Sequence, residues 1–409
     1  MAIFLGARGG DILTWRNVSE LASSLKGRMA ERMSYLLAGE DMELMEGWKE
    51  RLDEEIAFEK EFAADFAKAL DDLERASDGL MQLRERLNRM AAGYFERRRS
   101  VVALHALCTA FQDRLICRVL RTTEEWMEQN GFGNPPAPYC WLVSGSLGRL
   151  EGSLSGNFDS LMVFGETESG GASYFEDFSR RAAAALESLG MKSRTDIIPA
   201  HPSWRGSMAD WRLRLNEGLS GERRNEAIAC LVTLADLRHL YGDEGTAAEM
   251  TNLVRGLLDY HRHGALRDIS KSASEMPIGL DFFGRLRVDK SGNHRGEFNL
   301  EQFALTPLIM NICVMAIRHE VAATGTVDRI KGVLERGRLG VELAERLLMA
   351  YHDFASLKVF QEIRGGAAEA EGVFLNPDDM SEAEERNLKN GMEAVVNLQR
   401  IVYQTFAEQ

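Results

Sequence analysis

Apolar residues recur at three- and four-residue intervals through the first third of the chain. Residues 12–130 contain no proline, and glycine occurs there only as scattered single residues. This spacing is typical of amphipathic helices that bury one face and expose a charged one. The sequence therefore predicts a bundle or hairpin of long helices, with the following side chains turned inward: Leu36, Leu52, Phe62, Phe66, Leu73, Leu83, Leu87, Leu104, Leu107, Phe111 and Leu115.

A second pattern begins after the Gly/Pro-rich boundary at residues 131–138. Residues 141–143 and 161–164 are short apolar runs bounded by turn residues, which indicates two strands of a buried sheet. Residues 174–189 have the spacing of a helix, and Gly190 is a typical stop for it. Residues 191–198 follow as a predicted third strand that carries Asp196.

The remainder of the chain is predicted to be mostly helical. Residues 234–243 are predicted to be the last part of a helix that ends at Gly242. Asp236 and Arg238 lie within this apolar run and, if buried, each requires a hydrogen-bonding or charged partner. The alternation at residues 282–288 suggests a β-hairpin. Thr326 is an N-cap by residue type, and Ser381 with Glu384 forms a capping box.

Composition and charge limit the function. The chain has 409 residues, 45% of them hydrophobic, and a net charge of −14, which disfavours nucleic acid and anionic membranes as partners. The start of the chain does not look like a signal peptide, and the longest apolar stretch is too short to cross a bilayer. The five cysteines form no C-x-x-C pair. These features predict a cytoplasmic protein with free thiols.

Candidate chemistry lies between the two predicted strands. Gly145, Ser146 and Gly148 form a turn whose backbone N–H groups could approach a phosphate. Asn157 and Asp159 stand at the head of the second strand, and residues two apart on a strand point to the same face. Two carboxylates there would hold Mg²⁺, but Asn157 offers only a neutral oxygen.

The string G-S-x-G-R-x-E at residues 145–151, followed by N-F-D at residues 157–159, resembles the motif of the DNA polymerase beta-type nucleotidyltransferase superfamily. It is most similar to the putative nucleotidyltransferases of bacterial signalling proteins, which are related to PII uridylyltransferase. In that family the strand head usually reads D-x-D-N, so Asn157 replaces the first carboxylate. Two further polar positions of the family are also changed, at Asn299 and Glu301.

The resemblance implies roles for particular residues. Gly145, Ser146, Gly148 and Arg149 would bind the nucleotide, with Arg149 either neutralising phosphate or pairing with Glu151. Asp159 would be catalytic, with Asp196 as the second candidate for that role, and Asp159 would bind Mg²⁺ or Mn²⁺ with Asn157. Two roles are open for Asp196: a third carboxylate ligand of the metal, or a plain surface residue. Glu151 would hold the site residues in place rather than take part in catalysis. Arg238 is either a nucleotide contact or a structural residue.

The resemblance also implies an α+β fold, with a small mixed-sheet nucleotidyltransferase core at residues 131–250. Helical domains at residues 1–130 and 251–409 would flank this core. The expected activity is transfer of a nucleoside monophosphate from NTP to a hydroxyl group, with a protein as the acceptor. Metal binding is expected to be weak or absent.

Two other classes of function are open. One is a catalytically impaired pseudoenzyme that senses a nucleotide or binds a protein in signal transduction. The other is a purely structural interaction protein that acts through its N-terminal helices. Long charged helices can also dimerise, so a homodimer is a further alternative.

Overall fold

The computed structural model describes residues 39–407, except 169, 194, 222–223, 262–265, 282–283 and 366–372. Three long helices come first: α1 (Gly39–Arg75), α2 (Leu80–Arg98) and α3 (Val101–Gln129). They confirm the helical periodicity, but the prediction that Leu52 on α1 is turned inward is wrong, since its side chain is 45% exposed. Ser100 caps α3 by accepting a hydrogen bond from the Ala103 N–H at 3.3 Å. Leu36 and the rest of residues 12–38 lie outside the described part of the chain.

A four-stranded mixed sheet follows, in the order β3-β2-β1-β4. Its strands are β1 (Tyr139–Ser144), β2 (Asp159–Phe164), β3 (Arg205–Ser207) and β4 (Arg238–Gly242). The β1 strand pairs antiparallel with β2 and β4, whereas β2 and β3 are parallel. The helices of this region are a short turn α4 (Gly145–Gly148), α5 (Gly171–Ser188), α6 (Met208–Ser220), α7 (Arg224–Leu234) and α8 (Glu244–Tyr260).

The last part of the described chain is helical. It contains α9 (Leu266–Ser274), α10 (Thr306–Arg318) behind a π-helical turn (Glu301–Leu305), α11 (Thr326–Glu335), α12 (Val341–Gly365) and α13 (Glu382–Ala407). A two-stranded antiparallel sheet joins β5 (Phe298–Asn299) to β6 (Phe374–Leu375). Ser381 and Glu384 form the predicted capping box at the start of α13. The fold is thus α+β, as predicted.

The sheet lies between two hydrophobic cores because side chains alternate across a strand. Trp141 and Val143 face the N-terminal helices and α5, whereas Cys140 and Leu142 face the helices from α6 onward. Both central strands are buried along their whole length. The predicted boundary at residue 130 falls just after α3, and the one at residue 250 falls inside α8.

Four sequence predictions of local structure are wrong. The described residues of 191–198 form no strand; they pass beside β2 with one isolated bridge, Asn157 to Lys192, and the third strand is β3. The helix before Gly242 ends at Leu234, and residues 238–242 are strand β4. Within the described residues of 277–297, only isolated bridges replace the predicted hairpin; Phe282 lies outside the described residues. The N-cap of α11 is Gly325 rather than Thr326.

All five cysteines are free, as expected, and three of them are buried. In the described part of the chain, no helix is both long and apolar enough to cross a membrane.

Candidate nucleotide site

The end of β1 and the start of β2 bring the glycine-rich turn next to Asp159. Ser144 is the register partner of Asp159, and the chain turns at Gly145 with a φ of +57°. A Cβ added at Gly145 would lie 2.8 Å from Asp159 Oδ2. Both the left-handed conformation and the contact with the carboxylate therefore favour glycine at this position. Ser146 is half-buried in the same turn.

Asp159 is nearly buried, with 6% of its surface exposed. Its Oδ1 accepts hydrogen bonds from the hydroxyls of Ser193 at 2.9 Å and Thr195 at 2.7 Å. Sequence reasoning missed both hydroxyl residues, because they lie in the segment taken for a third strand. In the structure that segment brings its side chains to the head of β2, where the Ser160 N–H donates to the carbonyl of Ile197 at 2.7 Å.

Asn157 and Asp196 are the other candidate metal ligands. Asn157 is half-buried two residues before Asp159, whereas Asp196 is exposed and has a φ of +57°. Across the described residues, no group of three or more His, Cys, Asp and Glu side chains is placed to hold a metal ion. A two-carboxylate Mg²⁺ site does not fit this donor set, since Asp159 is the carboxylate and Asn157 the neutral amide at the strand head.

Gly148 closes the turn against the segment that precedes β4. A Cβ added at Gly148 would lie 2.1 Å from the Asp236 carbonyl oxygen. The two segments can touch because Gly148 has no side chain. In the structure Gly148 therefore packs against the backbone of Asp236, and this contact fixes the position of the turn.

Arg149 lies in a buried ion-pair network. Its Nε is 2.8 Å from Glu151 Oε2, and its Nη1 is 2.7 Å from Asp236 Oδ2. Asp236 Oδ1 is in turn 2.6 Å from Arg329 Nη2 on α11. We refer to Arg149, Glu151, Asp236 and Arg329 as the buried network. Of the two alternatives for Arg149, the structure shows the pair with Glu151.

Opposite charges set the ionisation of the buried network. Burial alone would lower the pKa of Arg149, but the carboxylates of Glu151 and Asp236 outweigh it and raise the pKa above its ordinary value. Burial alone would raise the pKa of Glu151, but the charge of Arg149 outweighs it and holds the pKa below its usual range. Both groups are therefore charged at neutral pH.

Glu151 also caps a helix that lies far away in the sequence. Its Oε1 accepts a hydrogen bond of 2.6 Å from the Thr326 N–H at the start of α11, 175 residues later. A carboxylate at this position satisfies an unpaired backbone donor and faces the positive end of the helix dipole. Glu151 therefore joins the turn to the C-terminal helices, and this explains the wrong prediction that Thr326 would provide the cap.

A buried histidine lies behind the same turn. His105 Nδ1 is 2.8 Å from the Gly152 carbonyl oxygen, and its Nε2 is 3.3 Å from the Tyr351 hydroxyl. Burial lowers the pKa of His105, so the ring is neutral at pH 7. With the proton on Nδ1, Nε2 can accept from Tyr351. Sequence reasoning missed both residues, which lie 246 positions apart.

Arg238 joins the turn to helix α3. Its two terminal nitrogens bind both oxygens of Asp113, at 2.9 and 2.8 Å, and Nη2 also donates to the Leu147 carbonyl at 2.9 Å. This bidentate pair fixes the turn against α3. Arg238 therefore has the charged partner that the structural alternative requires, and its contact with a nucleotide stays a prediction.

The fold and the turn define a class of protein: a small mixed sheet with a Gly-Ser turn between its first two strands and a carboxylate at the head of the second. Two family models match the chain. The model described as "Putative nucleotidyltransferase DUF294" matches residues 85–224, and the model described as "Putative nucleotidyltransferase substrate binding domain" matches residues 263–406. The chain belongs to this nucleotidyltransferase family. A search of the curated proteins found no match.

Proposed function

We propose that this protein binds a nucleoside triphosphate at the Gly145 turn and acts as a regulatory nucleotide-sensing module in the cytoplasm, with weak or absent transfer activity. The observation that carries this proposal is the strand head, where Asp159 is accompanied by Asn157 in place of a second carboxylate. The Gly-Ser turn supports the proposal, because small residues after a strand let backbone N–H groups come close to a phosphate.

The second candidate is an active transferase that moves a nucleoside monophosphate from NTP to a protein hydroxyl. Asp159 favours it, because this nearly buried carboxylate adjoins the turn where a triphosphate would lie. Asp159 with Asn157 would offer one carboxylate and one amide oxygen to Mg²⁺ or Mn²⁺, which predicts a weak site. Ser193 and Thr195 orient Asp159 through their hydroxyls.

Calorimetric titration of the full chain with each NTP, with and without MgCl₂ or MnCl₂, tests both candidates. Binding that does not depend on the metal supports the sensing module. Tight binding only with the metal, followed by labelling of a protein acceptor, supports the transferase instead. If no NTP binds, both candidate functions are wrong. The remaining hypothesis is then that the N-terminal helices bind another protein.

A matched pair of variants locates the site. Gly145→Ala combines a strained φ of +57° with a clash against Asp159 Oδ2. Gly133→Ala introduces strain at a similar φ of +77°, but the new Cβ meets nothing within 4 Å. We expect Gly145→Ala to weaken NTP binding at least tenfold and Gly133→Ala to leave it unchanged. Equal binding by both variants would place the nucleotide elsewhere.

A further inference from the structure

Lys192 lies beside Asn157, the neutral residue of the strand head. Two backbone hydrogen bonds form the parallel bridge between them: the Lys192 N–H donates to the Gly156 carbonyl at 3.4 Å, and the Phe158 N–H donates to the Lys192 carbonyl at 3.1 Å. Chains paired in this way lie about 4.8 Å apart. The backbone of Lys192 is thus fixed next to Asn157, while its side chain is exposed.

The direction of the strands puts Lys192 and the glycine-rich turn at the same edge of the sheet. Strands β1 and β2 are antiparallel and Ser144 pairs with Asp159, so the chain leaves β1 in the direction of Asn157. Two residues of extended chain, about 7 Å, separate Asp159 from Asn157. A lysine carries its ammonium on a flexible four-carbon stem. Lys192 is therefore within reach of a phosphate chain that begins at the Gly145 turn.

The ammonium of Lys192 has no counter-ion among the described residues. Neither the nearly buried Asp159 nor the exposed Asp196 forms an ion pair with it. An aspartate at position 157 would supply a counter-ion, whereas the amide of Asn157 carries no charge. Asn157 thus weakens the metal site and also leaves the charge of the lysine for an anion.

A second cation lies next to the same pair of residues. Arg84 on α2 is 6% exposed; its Nη2 donates to the Gly190 carbonyl at 3.3 Å and would lie 2.9 Å from a Cβ added at Gly156. These two glycines precede Lys192 and Asn157 in the chain. Arginine is seldom buried without an acidic partner, and within the described part of the chain Arg84 forms no ion pair. Burial lowers the pKa of Arg84, but an arginine stays charged at pH 7, so its field adds to the positive potential around the strand head.

We propose that Lys192 takes the place of a metal ion at this site and binds the phosphate chain of an NTP directly. The inference rests on the proposed NTP binding at the Gly145 turn and adds how the charge of the triphosphate is neutralised. The protein then binds metal-free NTP at least as tightly as the Mg²⁺ complex, because the phosphate oxygens that Lys192 contacts carry more negative charge without the metal.

Calorimetric titrations of the full chain with each NTP, in EDTA and in MgCl₂, compare wild type with Lys192→Gln and Lys192→Arg. We expect Lys192→Gln to lose roughly tenfold in affinity for metal-free NTP, because a charged hydrogen bond is lost, and Lys192→Arg to keep most of the affinity. The fold of these variants should be intact, since the bridge to Asn157 uses backbone groups and the side chain is exposed. Lys271→Gln changes an exposed lysine on α9 and is the matched control, which should bind as wild type does.

Asn157→Asp is the reciprocal variant. It places a carboxylate beside Lys192, so we expect roughly tenfold weaker NTP binding in EDTA, with the loss reversed by MgCl₂. The role of Lys192 would be overturned by wild type that binds NTP only with the metal, by Lys192→Gln that binds metal-free NTP as tightly as wild type, or by equal losses in Lys192→Gln and Lys271→Gln. If wild type bound no NTP in either buffer, the proposed function itself would be refuted, and this inference with it.

Discussion

Removal of the Glu151 carboxylate should strongly destabilise the protein. Glu151 and Arg149 are 10% and 14% exposed, and Glu151 Oε1 caps α11 through the Thr326 N–H. Breaking a buried ion pair costs about 3 to 5 kcal/mol, and the lower end applies because Asp236 still partners Arg149. The lost helix cap adds about 1 kcal/mol. We therefore expect Glu151→Ala to lower the free energy of unfolding by roughly 4 kcal/mol.

Two further variants separate the contributions. Glu151→Gln keeps an acceptor oxygen for the Thr326 N–H but removes the charge, so it should lose the ion-pair part alone. Glu249→Ala breaks a surface pair with Arg212, whose side chains are 50% and 53% exposed. That control should cost less than about 1 kcal/mol.

The assay is urea unfolding followed by far-UV circular dichroism and by fluorescence of the buried Trp141 and Trp211. The reasoning is refuted if Glu151→Ala shifts the unfolding midpoint no further than Glu249→Ala does. Such a result would mean that Arg149 relaxes to another partner or to water at little cost.

Three further predictions concern the same region. Asn157→Asp should raise Mg²⁺ affinity roughly tenfold, as measured by calorimetry, because it adds a carboxylate two residues from Asp159; no gain would count against the metal-site hypothesis. Gly148→Ala should cost roughly 2 to 3 kcal/mol in urea unfolding, because its Cβ would lie 2.1 Å from the Asp236 carbonyl oxygen, whereas Gly93→Ala, in the open interior of α2, should stabilise by up to about 1 kcal/mol. The folded-state pKa of Glu151 is lowered, so its stabilising effect is complete above the unfolded pKa of about 4.3 and is lost as the pH falls through the folded value. The stability difference between wild type and Glu151→Gln should therefore shrink below about pH 4 in acid unfolding curves; a difference that stays constant there would contradict this assignment.

Periodicity predicted the elements whose burial follows a regular pattern. Strands β1 and β2 and helix α5 were predicted because their apolar residues sit at strand or helix spacing. Strand β4 was missed because Arg238 and His239 interrupt the apolar pattern; the strand is only half-buried and forms by pairing with β1. The segment at residues 191–198 has strand-like composition, but β3 takes the place beside β2.

The candidate site could be predicted from the sequence only in part, for a similar reason. The turn and Asp159 are neighbours in the sequence, so their proximity followed from two adjacent strands. The contacts that hold them come from more distant positions: Ser193 and Thr195 bind Asp159, and Asp236 binds Arg149. No local pattern indicates that Glu151 will cap a helix 175 residues away, because only the packing of the C-terminal helices against the sheet brings the two together.

The cap that Glu151 provides has a consequence for synthesis of the chain. Arg149 and Glu151 leave the ribosome long before Thr326 and Arg329, and 175 residues separate Glu151 from the N–H group that it caps. Until those residues arrive, Glu151 can pair with Arg149 but lacks the N–H group that it caps, and Asp236 lacks Arg329. The first of the two family segments can form its strands early, but the electrostatic surroundings of its glycine-rich turn are completed only after α11 has been made.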